Sequence, residues 1–450
     1  MVFAWAVIVL VVGTVLLHFL SSWWFTPIAS NWTTMDQTVN ITFWVTGAVF
    51  IAVNLFMAYC IMRYRHRQGL KAHYEPENKK LEWWLTIVTS VGIAAMLAPG
   101  LAVWAKFVTV PTGASEVEVV GEQWNFSYRF PGKDGVFGTT NVRLASPQNP
   151  FAIDPNDPNG QDDVLVSSPE LHLPVGKPVK VLLRAKDVLH QFAVPPFRVK
   201  MDMVPGMVTY FWLTPTRTGS FDALCEQLCG TAHFTMRGRV VVDDEKDFQA
   251  WLAKQTTYAQ TRAAGAGDVG AGQAAYAVCS SCHGAQAEGN PQLNAPKLSG
   301  QEGWYLARQI ENFKLGIRGK SAKDPYGAQM VAFAQMLTDD TAIKNIVAYI
   351  DSLPDAQPPG TVSGNPSKGR EHYETCAYCH GSSGQGVWST NAPRLAHMSD
   401  WYMKRQLEEF QQGVRGSHPQ DFSGAQMAEM AKTLADDQAI YDVLKHIDSL

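Results

Sequence analysis

The distribution of apolar and polar positions divides the chain into parts in which apolar residues recur at different spacings. Three long apolar stretches come first, at residues 2–20, 39–62 and 85–108. A bilayer core of ~30 Å needs about 20 apolar residues in a helix, so each stretch is long enough to cross it. Residues 63–80 carry a cluster of basic side chains, which predicts a cytoplasmic loop. We therefore expect a membrane anchor over residues 1–110, with the rest of the chain on the outer, periplasmic side.

The first apolar stretch, residues 2–20, is also open to interpretation as a cleaved signal peptide. It has no basic n-region and no clear small-residue cleavage site, so a retained membrane helix is favoured. Both interpretations place the C-terminal part of the chain outside the cytoplasm.

Between Ser115 and Val242 the pattern changes to short alternating runs separated by Gly and Pro. Such runs predict strands, and several of them in succession predict an antiparallel sandwich. A helix is expected next, over residues 245–257. We expect these elements to form one domain over residues 111–258. The predicted strands are residues 116–130, 164–167, 179–183, 209–213 and 237–242.

The C-terminal part contains an internal repeat with an offset of 97 residues and no gap. An Ala/Gly-rich linker at residues 263–271 leads into it, and a Pro/Gly-rich linker at residues 354–368 divides it. The repeat predicts two copies of one small helical domain, residues 270–353 (module one) and 366–450 (module two). The corresponding residues are Cys279 and Cys376, Cys282 and Cys379, His283 and His380, Pro296 and Pro393, and Arg318 and Arg415.

Each module contains a C-x-x-C-H motif, which is the signature of covalent haem c attachment. Two thiols on one helical turn can bond to the two vinyl groups of a haem. The adjoining His283 or His380 then presents an imidazole to the iron. A zinc or redox C-x-x-C site is the alternative, which the adjoining histidine and the repeat disfavour.

The repeat also indicates the second axial ligand of each haem. Met330 and Met427 correspond at the 97-residue offset, and each ends the sequence Gly-Ala-Gln-Met. Met336 and Met430 do not correspond to each other, and we interpret them as core residues. Methionine opposite histidine raises the reduction potential of haem iron, which suits electron transfer.

A second group of candidate ligands lies in the predicted strand region, as Cys225-x-x-x-Cys229-x-x-x-His233-x-x-Met236. Two thiolates, an imidazole and a thioether are soft ligands that favour copper. A structural zinc site is usually built from Cys and His alone. His190 is the natural further ligand from a neighbouring strand end.

Composition adds little beyond these motifs. Six of the seven cysteines belong to the three close pairs already described, and the seventh, Cys60, lies in an apolar stretch. The formal net charge of −4 gives no electrostatic argument for a nucleic-acid partner.

The motifs resemble two known families. Residues 270–450 resemble class I cytochromes c, particularly the tandem di-haem kind, in which the carbonyl of a proline such as Pro296 or Pro393 orients the haem histidine. Residues 39–245 resemble cytochrome c oxidase subunit II, whose dinuclear copper (CuA) domain is a Greek-key cupredoxin sandwich. The implied fold is multi-domain: transmembrane helices, an all-β cupredoxin domain and two all-α cytochrome c domains.

The subunit II resemblance implies roles for particular residues. Cys225 and Cys229 would bridge two coppers, with His190, His233, Met236 and the backbone carbonyl of Gln227 completing the ligation. Trp124 matches the residue that passes electrons toward copper, and Glu82 the glutamate at the mouth of a proton-uptake path. The family commonly has Glu where this chain has Gln227, which leaves its magnesium site at the subunit I interface in doubt.

The function implied is that of the electron-accepting subunit of a bacterial proton-pumping oxidase in the inner membrane. Electrons would pass from a periplasmic donor, such as a cytochrome c, through two haems c and copper to haem in subunit I. Subunit III and membrane lipid are further expected partners. The apolar stretches hold no histidine cluster for an oxygen site, so oxygen reduction would belong to another chain. A copper-containing nitric oxide reductase subunit and a membrane-bound electron-relay protein remain the alternatives.

Overall fold

The computed structural model describes residues 1–21, 26–69, 71, 76–146, 149–166, 168–263, 267–337 and 339–450. Three helices in these ranges are long and apolar enough to cross a membrane: α1 (Val2–Leu20), α2 (Thr33–Arg63) and α3 (Lys79–Val108). Both α2 and α3 begin several residues before the predicted apolar stretches, because each helix starts with a polar turn. In α3 that turn is capped by Asn78, whose Oδ1 accepts the Leu81 N–H at 3.0 Å.

The next domain consists of two packed β-sheets. Strand order is β11-β3-β2-β1-β5-β8 in one sheet and β4-β10-β9-β6-β7 in the other. Apolar residues that alternate along the strands, such as Val117, Val119, Phe192 and Phe211, fill the space between the sheets. The strands are β1 (Ser115–Glu122), β2 (Asn125–Phe130), β3 (Val164–Val166), β4 (Glu170–Pro174), β5 (Val179–Ala185), β6 (His190–Val194), β7 (Val199–Met203), β8 (Thr209–Leu213), β9 (Gly219–Leu224), β10 (Arg237–Asp243) and β11 (Thr256–Thr257).

The sandwich departs from the predictions in three respects. Residues 116–130 form two antiparallel strands, because the chain reverses at Gln123 and Trp124. The predicted helix over 245–257 ends early as α4 (Glu245–Leu252), since Thr256 and Thr257 pair with β3 as β11. Finally, β1 pairs with β5 and β4 with β10 in parallel, so the sandwich is mixed rather than antiparallel. Ser167, the predicted end of one strand, lies outside the described residues.

The β-sandwich is attached to the first turns of α2 and the last turn of α3 by polar contacts. Arg198 donates from Nε to Asp36 Oδ1 of α2 at 2.6 Å. The indole of Trp212 donates to the Lys106 carbonyl near the end of α3 at 3.0 Å. Trp32, at the start of α2, donates in turn to the Trp212 carbonyl at 2.9 Å. These contacts fix the strand domain at the end of α3 opposite to Glu82.

Two similar helical modules follow the sandwich and a short helix, α5 (Tyr258–Ala263). In each module the first helix crosses the last at a glycine. A Cβ at Gly272 would lie 1.9 Å from the Asn345 carbonyl oxygen, and one at Gly369 would lie 1.9 Å from that of Asp442. Only glycine permits this approach. The helices are α6 (Val269–His283), α7 (Gly303–Leu315), α8 (Pro325–Gln335) and α9 (Asp340–Asp351) in module one, and α10 (Pro366–His380), α11 (Asp400–Gln411), α12 (Phe422–Ala431) and α13 (Asp437–Ile447) in module two.

The two modules pack through a reciprocal set of side chains. Arg318 donates to Gln309 Oε1 within its own module at 2.8 Å and to Gln406 Oε1 of module two at 2.8 Å. Arg415 donates to Gln406 Oε1 within its own module at 2.6 Å and to Gln309 Oε1 of module one at 3.3 Å. The pairs correspond at the 97-residue offset, so the contact has approximate two-fold symmetry.

Candidate copper and haem sites

Sulfur and nitrogen ligands cluster in the loop between β9 and β10. Cys225 Sγ lies 3.7 Å from Cys229 Sγ. Cys229 Sγ lies 3.4 Å from His233 Nδ1 and 3.9 Å from Met236 Sδ. The 3-10 turn His233–Thr235 brings the last two side chains back toward the cysteines before β10 begins.

Two further predicted ligands border the same cluster. Cys225 Sγ is 3.2 Å from the Gln227 carbonyl oxygen, because the loop folds back over its first cysteine. His190 enters from the start of β6, and its ligating atoms and those of the two cysteines all lie within 4.8 Å of one another. The structure thus brings together every side chain and the carbonyl that the sequence suggested for copper.

The donor set has the properties of a metal site. His190 is fully buried, and its Nδ1 has no hydrogen-bond partner among the described groups. A buried unpaired ring nitrogen is costly unless a ligand takes it. The hydrogen bond between the thiols lowers the pKa of Cys225 and raises that of Cys229, so one thiol readily becomes the thiolate that binds metal. Thiolate, imidazole and thioether together fit copper.

Asp187 holds the cluster in position, and sequence reasoning did not single it out. Its Oδ1 lies 2.8 Å from His190 Nε2, and its Oδ2 accepts the Gln123 N–H at 2.7 Å. A carboxylate on the far nitrogen fixes the orientation of a ligating imidazole. The sequence feature that could have identified Asp187 is its position three residues before the candidate ligand His190.

Trp124 contacts the copper loop directly. Its indole Nε1 donates to the Cys229 carbonyl at 3.2 Å, and the Gln123 side chain donates to the same oxygen at 2.8 Å. The hairpin between β1 and β2 therefore presents a buried aromatic ring to the backbone of a candidate copper ligand. This geometry is compatible with the predicted electron-transfer role of Trp124.

The two candidate haem histidines make equivalent hydrogen bonds. His283 Nδ1 donates to the Pro296 carbonyl at 2.8 Å, and His380 Nδ1 donates to the Pro393 carbonyl at 2.7 Å. Burial lowers the pKa of both imidazoles, which keeps them neutral with Nε2 free to bind iron. The hydrogen bond fixes the tautomer that a metal requires.

A cavity of about 510 Å³ is shared by the two modules. His283, His380, Met330 and Met427 line it, together with Cys279, Cys376 and Cys379. Its mostly apolar walls fit a haem, and the thiols stand on the last turns of α6 and α10 as thioether attachment requires. Cys282 is half-buried on the same turn as Cys279.

The expectation that Met336 and Met430 are core residues is wrong for Met336. Met336 is 61% exposed at the end of α8. Met430 packs against the core of the β-sandwich. Both also line the cavity, so lining alone does not distinguish them from Met330 and Met427.

Glu82 lies apart from the copper and haem sites. It is exposed in the first turn of α3, whose other end carries the β-sandwich. The structure therefore separates the candidate proton-uptake residue from the candidate redox residues by the length of a membrane helix.

Comparison with known proteins agrees with this architecture. Residues 115–244 match the family described as cytochrome c oxidase subunit II, periplasmic domain. Residues 269–354 and 366–450 each match the family described as cytochrome c. These matches imply copper in the first part and haem c in the second.

Individual relatives extend the agreement. The alternative cytochrome c oxidase subunit 2 of Bradyrhizobium diazoefficiens is 60% identical over 259 residues, which are 58% of this chain and 94% of that protein. The cytochrome c oxidase subunit 2 of Cereibacter sphaeroides is 28% identical over 52% of this chain and 79% of that protein. Among solved structures, cytochrome c4 of Pseudomonas stutzeri is 26% identical, with a TM-score of 0.33 over 41% of this chain and all of that one. The chain belongs to the cytochrome c oxidase subunit II family and carries two cytochrome c domains, which makes it part of an oxidoreductase haem–copper complex.

Proposed function

We propose that this chain is the subunit of a bacterial haem–copper cytochrome c oxidase that receives electrons from a periplasmic donor. Two haems c and a dinuclear copper centre would supply one-electron transfer toward haem in subunit I, where oxygen is reduced to water with proton translocation. The observation that carries the proposal is the presence, in one chain, of a buried sulfur–nitrogen cluster and two equivalent haem-histidine sites.

The residues of the copper loop would have distinct roles. Cys225 and Cys229 would hold the two coppers through their thiolates, since thiolate is the softest ligand of the set. His190, His233, Met236 and the Gln227 carbonyl complete the ligation. The 3.7 Å between the two sulfur atoms supports a bridging arrangement.

The residues of the modules would hold one haem each. Cys279 and Cys282 would attach the first haem and Cys376 and Cys379 the second, and the iron would be bound by His283 and Met330 in module one and by His380 and Met427 in module two. Support comes from the repeat, the neutral buried imidazoles and the common cavity. Methionine ligation keeps both potentials high enough for a respiratory donor.

The membrane part would place the chain in the bacterial inner membrane as a multi-pass subunit surrounded by lipid. The anchor spans residues 1–110 and the cupredoxin domain 111–258, with the cytochrome c domains at 270–353 and 366–450. Subunit I, and subunit III beside it, would pack against α2 and α3, whose side chains are largely exposed within this chain. Glu82 would exchange protons with the cytoplasm at the mouth of an uptake path.

The experiment is isolation of the complex from native membranes with this chain intact. We expect two coppers and two haems c per chain, and oxygen consumption with a reduced cytochrome c as donor. Reduction of nitric oxide without oxygen uptake would instead identify the chain as a nitric oxide reductase subunit. Purification without any haem–copper partner would identify it as an electron relay.

A further inference from the structure

The side chain of Gln426 joins module two to the copper loop and the Trp124 hairpin by hydrogen bonds. Gln426 Nε2 donates to the Trp124 carbonyl at 2.6 Å and to the Thr235 carbonyl at 3.2 Å. Gln426 directly precedes Met427, and Thr235 directly precedes Met236. The neighbour of a proposed haem ligand is therefore hydrogen-bonded to the neighbour of a proposed copper ligand.

Other contacts support the same docking. Met430 and Cys379 of module two pack against the hydrophobic core of the β-sandwich. The Arg239 guanidinium lies 5.5 Å from the ring centre of Phe422, and Lys186 Nζ lies 5.7 Å from that of Trp388. Cation–π contacts of this kind add to the hydrogen bonds of Gln426 at this interface.

The equivalent face of module one has no such neighbour among the described residues. Gln329 corresponds to Gln426 and stands in the same Gly-Ala-Gln-Met sequence, yet its side chain is exposed. Phe333 corresponds to Met430 and is also exposed. The docking, rather than the sequence motif, distinguishes Gln426 from its counterpart.

We propose that Gln426 is a positioning residue that holds module two against the copper loop, and that module two passes electrons to copper while module one receives them from the donor. The inference rests on the proposed function. In the step concerned, one electron leaves the ferrous iron of module two, which becomes ferric, and reduces the copper pair by one electron. No bond is broken and no proton moves.

The physical reason is the steep fall of electron-transfer rate with separation. A fold that carries a redox centre acts by positioning it against its acceptor. The single Gln426 amide serves two acceptors, one in the Trp124 hairpin and one in the copper loop, so it fixes both the distance and the orientation of α12. Loss of the amide donor should let module two move away while both centres stay intact.

The test compares three variants in the intact membrane complex. Gln426→Met keeps the length of the side chain but has no donor, Gln426→Lys keeps a donor, and Gln329→Met is the matched change in module one. Transfer from the haems to copper is followed by rapid photoreduction. Two readouts independent of turnover are the haem potentials and the amide hydrogen exchange of residues 233–237 and 422–430.

We expect Gln426→Met to slow transfer to copper by about tenfold, as loss of two modest hydrogen bonds implies. In this variant the backbone amides of residues 233–237 and 422–430 should exchange their hydrogens faster. The haem potentials and the copper signal should not change. The rate of haem-to-copper transfer in Gln426→Lys should stay closer to the native rate than in Gln426→Met. In Gln329→Met this rate should equal the native one. A native rate in Gln426→Met, an equal loss in Gln426→Lys or an equal loss in Gln329→Met would overturn the role of Gln426. Absence of haem-to-copper transfer in the native complex would instead refute the proposed function.

Discussion

Gln426 and Trp124 are joined by a hydrogen bond of 2.6 Å although 302 residues of chain separate them. Trp124 in turn donates its indole hydrogen to the Cys229 carbonyl at 3.2 Å. A continuous series of bonds therefore connects helix α12 of module two, the β1–β2 hairpin and the copper loop. This series of bonds distinguishes module two from module one, whose corresponding Gln329 is exposed.

The first prediction concerns Cys225 and Cys229, the two proposed copper-bridging cysteines. Cys225→Ser or Cys229→Ser should abolish the copper signal in electron paramagnetic resonance, because a hydroxyl cannot replace a thiolate between two coppers. Both haem c spectra should persist, since the modules fold around separate cores. Cys60→Ser, in helix α2, is the control and should keep the signal. Zinc rather than copper in the native protein would contradict the assignment.

The second prediction concerns Met330 and Met427, the methionines proposed as haem ligands. Met330→Ala and Met427→Ala should each change the spectrum and lower the potential of one haem, because methionine ligation raises it. Met336→Ala and Met430→Ala are the matched controls and should leave both haems nearly unchanged. Redox titration of each variant measures the effect. A haem altered by Met336→Ala would show that the 97-residue offset misidentifies the ligand.

The third prediction concerns the contact between the modules. Arg318→Ala removes bonds to Gln309, Gln406 and the Tyr402 hydroxyl, each 2.8 Å long. We expect the free energy of unfolding of the module pair to fall by about 2 kcal/mol, as for buried bonds to a charged group. Thermal unfolding followed at the haem bands measures it. Lys320→Ala, an exposed change in the same loop, should have little effect, and an equal loss in both variants would exclude the interface as the cause.

The fourth prediction concerns proton supply. Glu82→Gln removes an exposed carboxylate from the first turn of α3 and touches no redox ligand. Steady-state turnover should fall while reduction of copper by the donor stays fast and all spectra stay native. Glu77→Gln, in the loop just before α3, is the control and should turn over normally. Normal turnover in Glu82→Gln would exclude the proton role, and loss of subunit I from the complex would indicate a structural one.

The sequence alone determined those features that depend on local spacing. The presence of three long apolar helices follows from unbroken apolar runs, the two candidate haem-attachment motifs from C-x-x-C-H, and the candidate copper loop from four possible ligands within twelve residues. His190 was also identified, because its position at a strand end placed it near the loop. These features could be predicted because residues that are close in the sequence stay close in space in any fold.

Only the tertiary structure decided the relations between distant parts. Both modules contain Gly-Ala-Gln-Met, and nothing local distinguishes Gln329, which is exposed, from Gln426, which bonds to the copper domain. The role of Asp187, the parallel pairing of β1 with β5 and the exposure of Met336 were likewise not predictable from periodicity. Each depends on contacts between residues far apart in the chain, either within one domain or where two domains dock, and complementary shape and charge decide which of these contacts form.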